Sequence, residues 1–224
     1  MDAYLDALEK EMMQCEEWLA GKQMVSVYVG GGTPTSLSEE QFERLMAMTE
    51  KYLPMEQSKE FTVEAGRPDS ITEGKLRSMK IHGVTRISIN PQSMKEHTLE
   101  LLGRKHTVEE IREKFMLART LGFDNINMDL IAGLPEETLE DFKETLREVE
   151  ALKPDSITVH TLVIKRASRL RKEQLEQGGE MREEDACIEP MQKEAEQFCR
   201  VHGYEPYYMY RQKYMTGNME NVGY

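Results

Sequence analysis

Residues 24–34 decide the fold, and they read Met24-Val25-Ser26-Val27-Tyr28-Val29-Gly30-Gly31-Gly32-Thr33-Pro34. The β-branched and aromatic first half predicts a short strand, and the three glycines predict a loop at its end. Because glycine has no Cβ atom, such a loop exposes backbone N–H and C=O groups to a small polar ligand. The spacing fits neither a P-loop, which needs Gly-Lys-Ser/Thr, nor the dinucleotide pattern with glycines at the first, third and sixth places.

The pattern of strand, loop and helix then recurs along the chain. Strands are predicted at residues 24–29, 60–64, 85–89, 125–131 and 156–163. Helices are predicted at residues 2–19, 38–53 with Ser38 as N-cap, 72–81, 107–121, 139–152 and 183–202. Five units of strand followed by helix predict parallel strands joined by right-handed crossovers.

The unusual residues all follow the C-terminal ends of the predicted strands, at 30–34, 64–68, 90–92, 129–135 and 160–163. In a β/α barrel these strand ends form one ring around a single ligand, whereas in an open sheet only strands beside the switch point carry function. The pattern therefore favours a barrel over an open doubly wound sheet. A barrel begins with a strand, but this chain begins with a helix, so we expect a first strand and its loop to lie upstream.

Composition narrows the class of protein. The 224 residues are enough for one domain, and the net charge of -12 argues against a nucleic-acid partner. One basic stretch, residues 165–172, is interpreted as solvated surface, with contact to an anionic substrate as the alternative. The sequence shows neither an 18-residue apolar run nor a signal peptide, so we expect a cytoplasmic protein without a membrane partner.

The three cysteines, Cys15, Cys187 and Cys199, are widely separated. Neither a disulfide framework nor a CxxC metal site can be drawn from them, so no metal ligand is predicted in this chain. We interpret all three as small buried side chains on helices, Cys15 on the first helix and Cys187 and Cys199 on the last one.

Two carboxylates stand out at strand ends. Glu64 could accept hydrogen bonds from a ribose or an ammonium group, although it could also cap the turn that follows. Asp129 lies in an otherwise apolar strand, where a buried carboxylate needs a donor; a ligand or Arg104 could supply one. Taken alone, Arg104 is more typical of surface charge, and His106 of a helix start.

Several segments together resemble one known family. They are Gly30-Gly31-Gly32-Thr33-Pro34 with Tyr-Val before it, the strand end at Glu64, Gln92 with Arg104 twelve residues later, and Asn127-Met128-Asp129-Leu130-Ile131-Ala132-Gly133-Leu134-Pro135. They resemble the radical-SAM superfamily, and within it the coproporphyrinogen-dehydrogenase-like group, closest to its HemZ branch. The resemblance implies an α/β fold that is a partial parallel, TIM-like β/α barrel of the radical-SAM type, with the first strand and cluster loop absent.

The resemblance also implies S-adenosylmethionine as a cofactor. In the family, the triglycine segment binds the methionine amino group, and Arg104 matches a residue that can pair with the carboxylate. Asp129 matches an aspartate near the adenosine, and Val163 a position whose backbone faces adenine, although core packing is the alternative for Val163. The implied cofactor-binding residues are Gly31, Gly32, Thr33, Glu64, Gln92, Arg104, Asp129 and Val163.

The family holds a [4Fe–4S] cluster with a CxxxCxxC loop after its first strand. No such spacing occurs in this chain. We therefore expect an internal fragment, with the barrel core at residues 1–203 and the start of a linker to a C-terminal substrate domain at 204–224. The tyrosine-rich linker segment could line the substrate side, or could form a stacked surface hairpin.

The implied function is the oxygen-independent, radical decarboxylation of coproporphyrinogen III propionates to vinyls in haem biosynthesis. The implied partners are a small-molecule porphyrinogen substrate and a reductant for the cluster. This fragment is expected to be inactive alone. Two alternatives stay open: a haem chaperone built on the same barrel, and a cluster-less pseudo-enzyme that serves as a binding module.

Overall fold

The computed structural model describes residues 1–162, 188–211 and 220–224. Val163, Cys187 and the basic stretch 165–172 lie outside the described residues. The chain divides into two compact units. Unit 1 comprises Met1–Asn90 and Glu109–Asn127, and unit 2 comprises Pro91–Val108 and Met128–Tyr224.

The described residues form seven α-helices: α1 (Asp2–Leu19), α2 (Glu39–Tyr52), α3 (Glu73–Ile81), α4 (Glu96–Leu101), α5 (Val108–Thr120), α6 (Leu139–Leu152) and α7 (Ile188–Val201). The capping box predicted before α2 is present. The Ser38 hydroxyl accepts from the Gln41 N–H at 3.2 Å, and the Ser38 N–H donates to Gln41 Oε1 at 3.3 Å. Thr138 and Asp141 form the same box before α6. None of the described helices has an apolar stretch long enough to cross a membrane.

The described strands form one mixed sheet: β1 (Ser26–Val29), β2 (Glu60–Gly66), β3 (Arg86–Gln92), β4 (Ile126–Ala132), β5 (Ser156–Thr161), β6 (Tyr208–Tyr210) and β7 (Asn221–Gly223). Their order is β1-β2-β3-β4-β5-β7-β6. β1 pairs with β2, and β2 with β3, in parallel register. The first five strands follow chain order without the reversal that defines a doubly wound sheet, which is the topology expected of a β/α barrel.

In unit 1, helices α1 and α2 pack together beside the first strands. Leu5 of α1 and Phe42 and Met46 of α2 are fully buried, and burial of each such side chain contributes roughly 1.5–3 kcal/mol. At the surface of this helix pair, Arg44 bridges Asp6 and Glu9 at 2.7 and 2.8 Å. These side chains form part of the core of unit 1, in which the paired strands β1 and β2 carry the glycine loop and Glu64.

In unit 2, helix α6 packs against α7, and β5 pairs antiparallel with β7, which in turn pairs antiparallel with β6. Gly223 is required in β7, since a Cβ atom there would lie 2.3 Å from the Tyr208 ring. The described part of residues 204–224 therefore adds two strands to the sheet. These strands are arranged as the hairpin interpretation of this segment expects.

The structure differs from the sequence prediction at several element ends. β5 ends at Thr161 rather than at 163, and helix α4 was not predicted. The last helix begins at Ile188 among the described residues, and its predicted start at 183 lies outside them. Cys199 is buried in α7 as expected, and burial raises the pKa of its thiol to about 12. Cys15 lies in α1 but is only partly buried, so the expectation of a buried side chain was wrong there.

Candidate functional site

The glycine loop of unit 1 is built around the carboxylate of Glu64. The Gly31 N–H donates to Glu64 Oε2 at 3.1 Å, and the Tyr28 hydroxyl donates to Glu64 Oε1. The end of β1 and the end of β2 are thereby joined through one carboxylate. Gly31 and Glu64, which the sequence analysis assigned to the same ligand, are thus in direct contact in the structure.

Glycine is needed at two positions of this loop for different reasons. A Cβ atom on Gly30 would lie 2.3 Å from the Tyr28 ring and 2.9 Å from the Glu64 carboxyl carbon, which is too close for any side chain. Gly31 has a φ of 96°, a backbone conformation that favours glycine. Around Gly31 and Gly32 a Cβ atom would meet nothing within 4 Å among the described residues. The backbone at Gly31 and Gly32 is therefore uncovered by the described residues, while the Glu64 carboxylate contacts the loop at the Gly31 N–H.

A buried lysine supports the turn that follows the loop. The Lys75 ammonium group donates to the carbonyl oxygen of Thr35 at 2.6 Å and to that of Ser70 at 3.0 Å. Thr35 in turn donates to the Ala65 carbonyl oxygen at the end of β2. Burial lowers the pKa of Lys75, but two carbonyl oxygens satisfy its charge. This network fixes residues 34–36 against the strand end that carries Glu64.

A cavity of about 530 Å³ lies in unit 1 between α1, the second half of α2 and the glycine loop. Its wall includes Tyr28, Gly30, Gly32 and Thr33. Thr33 also lies against Gly66, where a Cβ atom would be 3.1 Å from the Thr33 methyl group. The predicted site residues of unit 1, Gly31, Gly32, Thr33 and Glu64, therefore form one continuous surface.

In unit 2, Gln92 ends β3 with a φ of 69°. A non-glycine residue in this region costs about 1–3 kcal/mol and persists only where its surroundings hold it, which is common at binding sites. The Gln92 side chain is nearly buried, at 9% exposure. Arg104 follows Gly103 in the turn after α4, and its N–H donates to the Leu99 carbonyl oxygen at 2.9 Å. Its neighbour His106 is buried just before α5, consistent with a helix-start role.

Asp129 lies in β4, and the donor beside it is a histidine that the sequence interpretation did not single out. His160 Nε2 in β5 lies 3.6 Å from Asp129 Oδ2. On the other side of the ring, His160 Nδ1 lies 3.2 Å from the Tyr210 hydroxyl of β6. The signal for His160 was present in the sequence, because it falls in the strand end at 160–163, but its partner Tyr210 is 50 residues away along the chain.

The tyrosines of β6 extend this polar cluster. The rings of Tyr208 and Tyr210 are nearly parallel, with centroids 5.9 Å apart. Burial raises the pKa of Tyr208 to about 12, and the neighbouring Tyr210, Tyr207 and Asp129 add to the rise. The Tyr208 hydroxyl group therefore stays protonated at neutral pH and can act as a hydrogen-bond donor.

The chain matches the model of the radical SAM superfamily over residues 2–149. It is 46% identical to the oxygen-independent coproporphyrinogen-III oxidase-like protein HemZ of Bacillus subtilis, over 99% of this chain and 44% of that protein. It is 38% identical to the heme chaperone HemW of the same organism, over 73% of this chain and 43% of HemW. The chain thus spans less than half of the length of these relatives.

Among solved structures, the chain is similar to coproporphyrinogen III oxidase (HemN) from Escherichia coli, which is described as a radical SAM enzyme. The TM-score is 0.78 at 29% identity, and the match covers 91% of this chain and 46% of that one. This similarity confirms the predicted α/β fold of the radical-SAM type. With the family match over most of its length and the strand order of a β/α barrel, the chain belongs to the radical SAM superfamily.

Proposed function

We propose that this chain is the S-adenosylmethionine-binding barrel of an oxygen-independent coproporphyrinogen III dehydrogenase. The family implies S-adenosylmethionine and a [4Fe–4S] cluster. Bound together, these cofactors supply a 5′-deoxyadenosyl radical that can abstract hydrogen from a propionate side chain of the substrate. The protein's part is to bind and orient.

The observation that carries the proposal is the loop at Gly30–Thr33. Its open backbone beside Gly31 and Gly32, together with the Glu64 carboxylate held at 3.1 Å from the Gly31 nitrogen, suits an ammonium group such as that of methionine. The residues present therefore fit the amino-acid end of S-adenosylmethionine.

The other implied contacts belong to the same proposal. Gln92 and Asp129 supply hydrogen-bonding groups at strand ends, and Arg104 would pair with the carboxylate of the methionine moiety. The backbone at Val163, outside the described residues, would face adenine.

The cluster does not fit the residues of this chain. Among the described residues, there is no group of three or more His, Cys, Asp or Glu side chains that could hold a metal ion. The sequence has no CxxxCxxC spacing, and the buried thiol of Cys199, with its pKa raised to about 12, would not be a thiolate. We therefore propose that the cluster ligands belong to sequence outside this chain, and that the chain alone does not catalyse the reaction.

We further propose that residues 1–203 form the barrel core and that 204–224 lead to a substrate domain. Tyr207, Tyr208 and Tyr210 would then lie on the side that receives the porphyrinogen. A separate reductant would serve the cluster.

The proposal is tested in a longer protein that contains both this chain and a CxxxCxxC loop. After anaerobic reconstitution, we expect this protein to decarboxylate coproporphyrinogen III. The Glu64→Gln variant should lose at least about tenfold in decarboxylation activity, because one charge-assisted hydrogen bond contributes about 1.5–3 kcal/mol. Glu56→Gln, which alters an exposed glutamate, is the matched control. Full activity in Glu64→Gln would refute the assigned role of the loop.

One alternative is favoured by a specific similarity. The 38% identity to the heme chaperone HemW supports a haem-binding protein that uses the same barrel. Stable haem binding by the reconstituted protein, without decarboxylated product, would favour this function. A cluster-less binding module is the third candidate, and it is supported only if the gene encodes no CxxxCxxC loop ahead of Met1.

A further inference from the structure

Three polar side chains of unit 2, from three strands of the sheet, lie in contact one after another. Asp129 Oδ2 lies 3.6 Å from His160 Nε2, and His160 Nδ1 lies 3.2 Å from the Tyr210 hydroxyl oxygen. The His160 and Tyr210 rings meet edge to face, with centroids 6.3 Å apart. The three residues come from β4, β5 and β6, so these side-chain contacts connect the centre of the sheet to the C-terminal strands.

The geometry favours one arrangement of the His160 ring. A carboxylate can only accept, so an N–H on Nε2, the ring nitrogen 3.6 Å from Asp129 Oδ2, faces an attractive partner. Nδ1 is then the acceptor of the Tyr210 hydroxyl. Tyr210 thereby holds the ring so that Nε2 faces one oxygen of Asp129.

Exposure shows that this cluster faces an accessible space. In β5, every residue except His160 is buried, and the His160 side chain is 25% exposed. The Asp129 side chain is 20% exposed, in a strand whose other residues are buried except Ile131. A cluster that served only to hold the strands together would not need titratable groups at the accessible positions of two otherwise mostly buried strands.

We propose that His160 and Tyr210 are positioning residues that hold the Asp129 carboxylate for the ribose hydroxyl groups of the adenosyl ligand. This inference rests on the proposed function, which puts Asp129 beside the adenosine. His160 lies against Oδ2, and the contact limits the rotation of the Asp129 carboxylate. Supporting contacts of this kind restrict the rotation of a ligand-binding side chain and lower the cost of ordering it on binding.

A consequence is that the C-terminal strands influence the cofactor site. Tyr210 lies in β6, which pairs with β7, where Tyr210 is in register with Asn221, and β7 in turn pairs with β5. The Asn221 side chain is fixed because its Oδ1 accepts from the Thr161 N–H at 2.7 Å. A change in this pair of strands would therefore alter the hydrogen bond that orients His160.

The test uses two nucleosides that differ only in the ribose hydroxyl groups, adenosine and 2′,3′-dideoxyadenosine. Their dissociation constants for this chain are measured from amide shifts in two-dimensional NMR, which suits weak ligands. We expect the wild type to prefer adenosine by about tenfold, the effect of one hydrogen bond to a charged group. His160→Phe should reduce the preference to less than about twofold, and Tyr210→Phe should reduce it partly.

Two further variants make the result specific. His160→Gln retains an N–H donor and should recover most of the preference. His97→Phe, which changes an exposed histidine paired with Glu136 at 2.9 Å, should leave the preference unchanged. Because the readout is a ratio of two affinities, a general loss of stability does not mimic it. If His160→Phe does not fold, the Tyr210→Phe variant, which removes a single hydroxyl group, decides the question.

The outcomes separate the inference from the proposed function. If the wild type prefers adenosine and His160→Phe keeps the full preference, the positioning role is overturned while adenosyl binding stands. If the wild type binds both nucleosides equally, Asp129 does not serve the ribose and the inference is overturned. If the wild type binds neither, the inference is overturned, whereas the methionine end of the proposed site is tested separately by titration with S-adenosylmethionine.

Discussion

At position 30 of the glycine loop, the absence of a Cβ atom decides which residue type fits. The Tyr28 ring and the Glu64 carboxylate occupy the space that a Gly30 side chain would need. The carboxylate then reaches the Gly31 N–H at 3.1 Å. The loop is thus shaped by contacts within the protein before any ligand arrives.

This predicts different outcomes for two neighbouring glycines. Gly30→Ala should displace Tyr28 and Glu64 and lower the free energy of unfolding by about 1–3 kcal/mol, the usual cost of overpacking. Gly32→Ala, at a position where a Cβ atom would meet no atom of the described residues within 4 Å, should change it by less than about 0.5 kcal/mol. Urea denaturation measures both. Equal losses in the two variants would contradict the described loop geometry.

Glu137 in unit 2 is a second residue whose surroundings set its chemistry. It is only 4% exposed, and burial raises the pKa of its carboxyl group despite hydrogen bonds from Ser93 and Thr98. Ser93 donates to Oε1, while Oε2 has no hydrogen-bond partner among the described residues. Burial thus makes the charged form of Glu137 less favourable in the folded state than in water.

The sign of the resulting pH dependence follows from linkage. Because the pKa is higher in the folded than in the unfolded state, the contribution of Glu137 to stability is greatest at low pH and falls as the pH rises through the folded pKa. Glu137→Gln removes this titration, so the variant should gain stability relative to the wild type when the pH is raised from 4 to 8. Urea denaturation at both pH values tests this, and a difference that is constant with pH would contradict it.

At the scale of elements, His82 joins two helices of unit 1. Its Nδ1 lies 2.6 Å from Glu50 and its Nε2 lies 2.8 Å from Glu43, both in α2, while His82 itself directly follows α3. Burial alone would lower its pKa, but the hydrogen bonds and charges of the two glutamates outweigh burial and raise it. The charged form of His82 therefore stabilises the helix pair.

Because the folded pKa is raised, this contribution is full below the unfolded value of about 6.5 and is lost as the pH rises through the folded pKa. His82→Gln should lower the free energy of unfolding by about 0.5–1 kcal/mol at pH 5.5, since the two carboxylates are largely exposed. The loss should be smaller at pH 9. His97→Gln, at an exposed pair, serves as the control. An equal loss at both pH values would show that charge is not involved.

The elements themselves were largely predictable from local patterns. Short stretches of sequence predict the capping box at Ser38 and Gln41 and the strand before Gly30, and the structure contains both. Helix α4 was missed because six residues are too few for a helical period to stand out. The antiparallel pairing of β7 with β5 depends on contacts far apart along the chain, such as Thr158 with Gly223, which no local pattern encodes.

At the scale of the whole molecule, the sequence allowed the family and most of the candidate site to be predicted. Strand-end residues such as Glu64 and Asp129 could be found because a β/α barrel gathers function at one end of its strands. The pairing of Gly31 with Glu64 was expected only as a shared ligand site, and the structure adds the direct hydrogen bond. His160 and Tyr210 could not be paired from sequence, since their contact depends on the order of β5, β7 and β6.

The central claim is that the loop at Gly30–Thr33, with Glu64, binds the methionine end of S-adenosylmethionine. The most direct measurement is a titration of the ¹⁵N-labelled chain with S-adenosylmethionine, followed by two-dimensional NMR. We predict weak, saturable shifts at the Gly31, Gly32 and Thr33 amides, which are lost in Glu64→Gln and retained in Glu56→Gln. Shifts confined to other parts of the chain, or unchanged in Glu64→Gln, would contradict the claim.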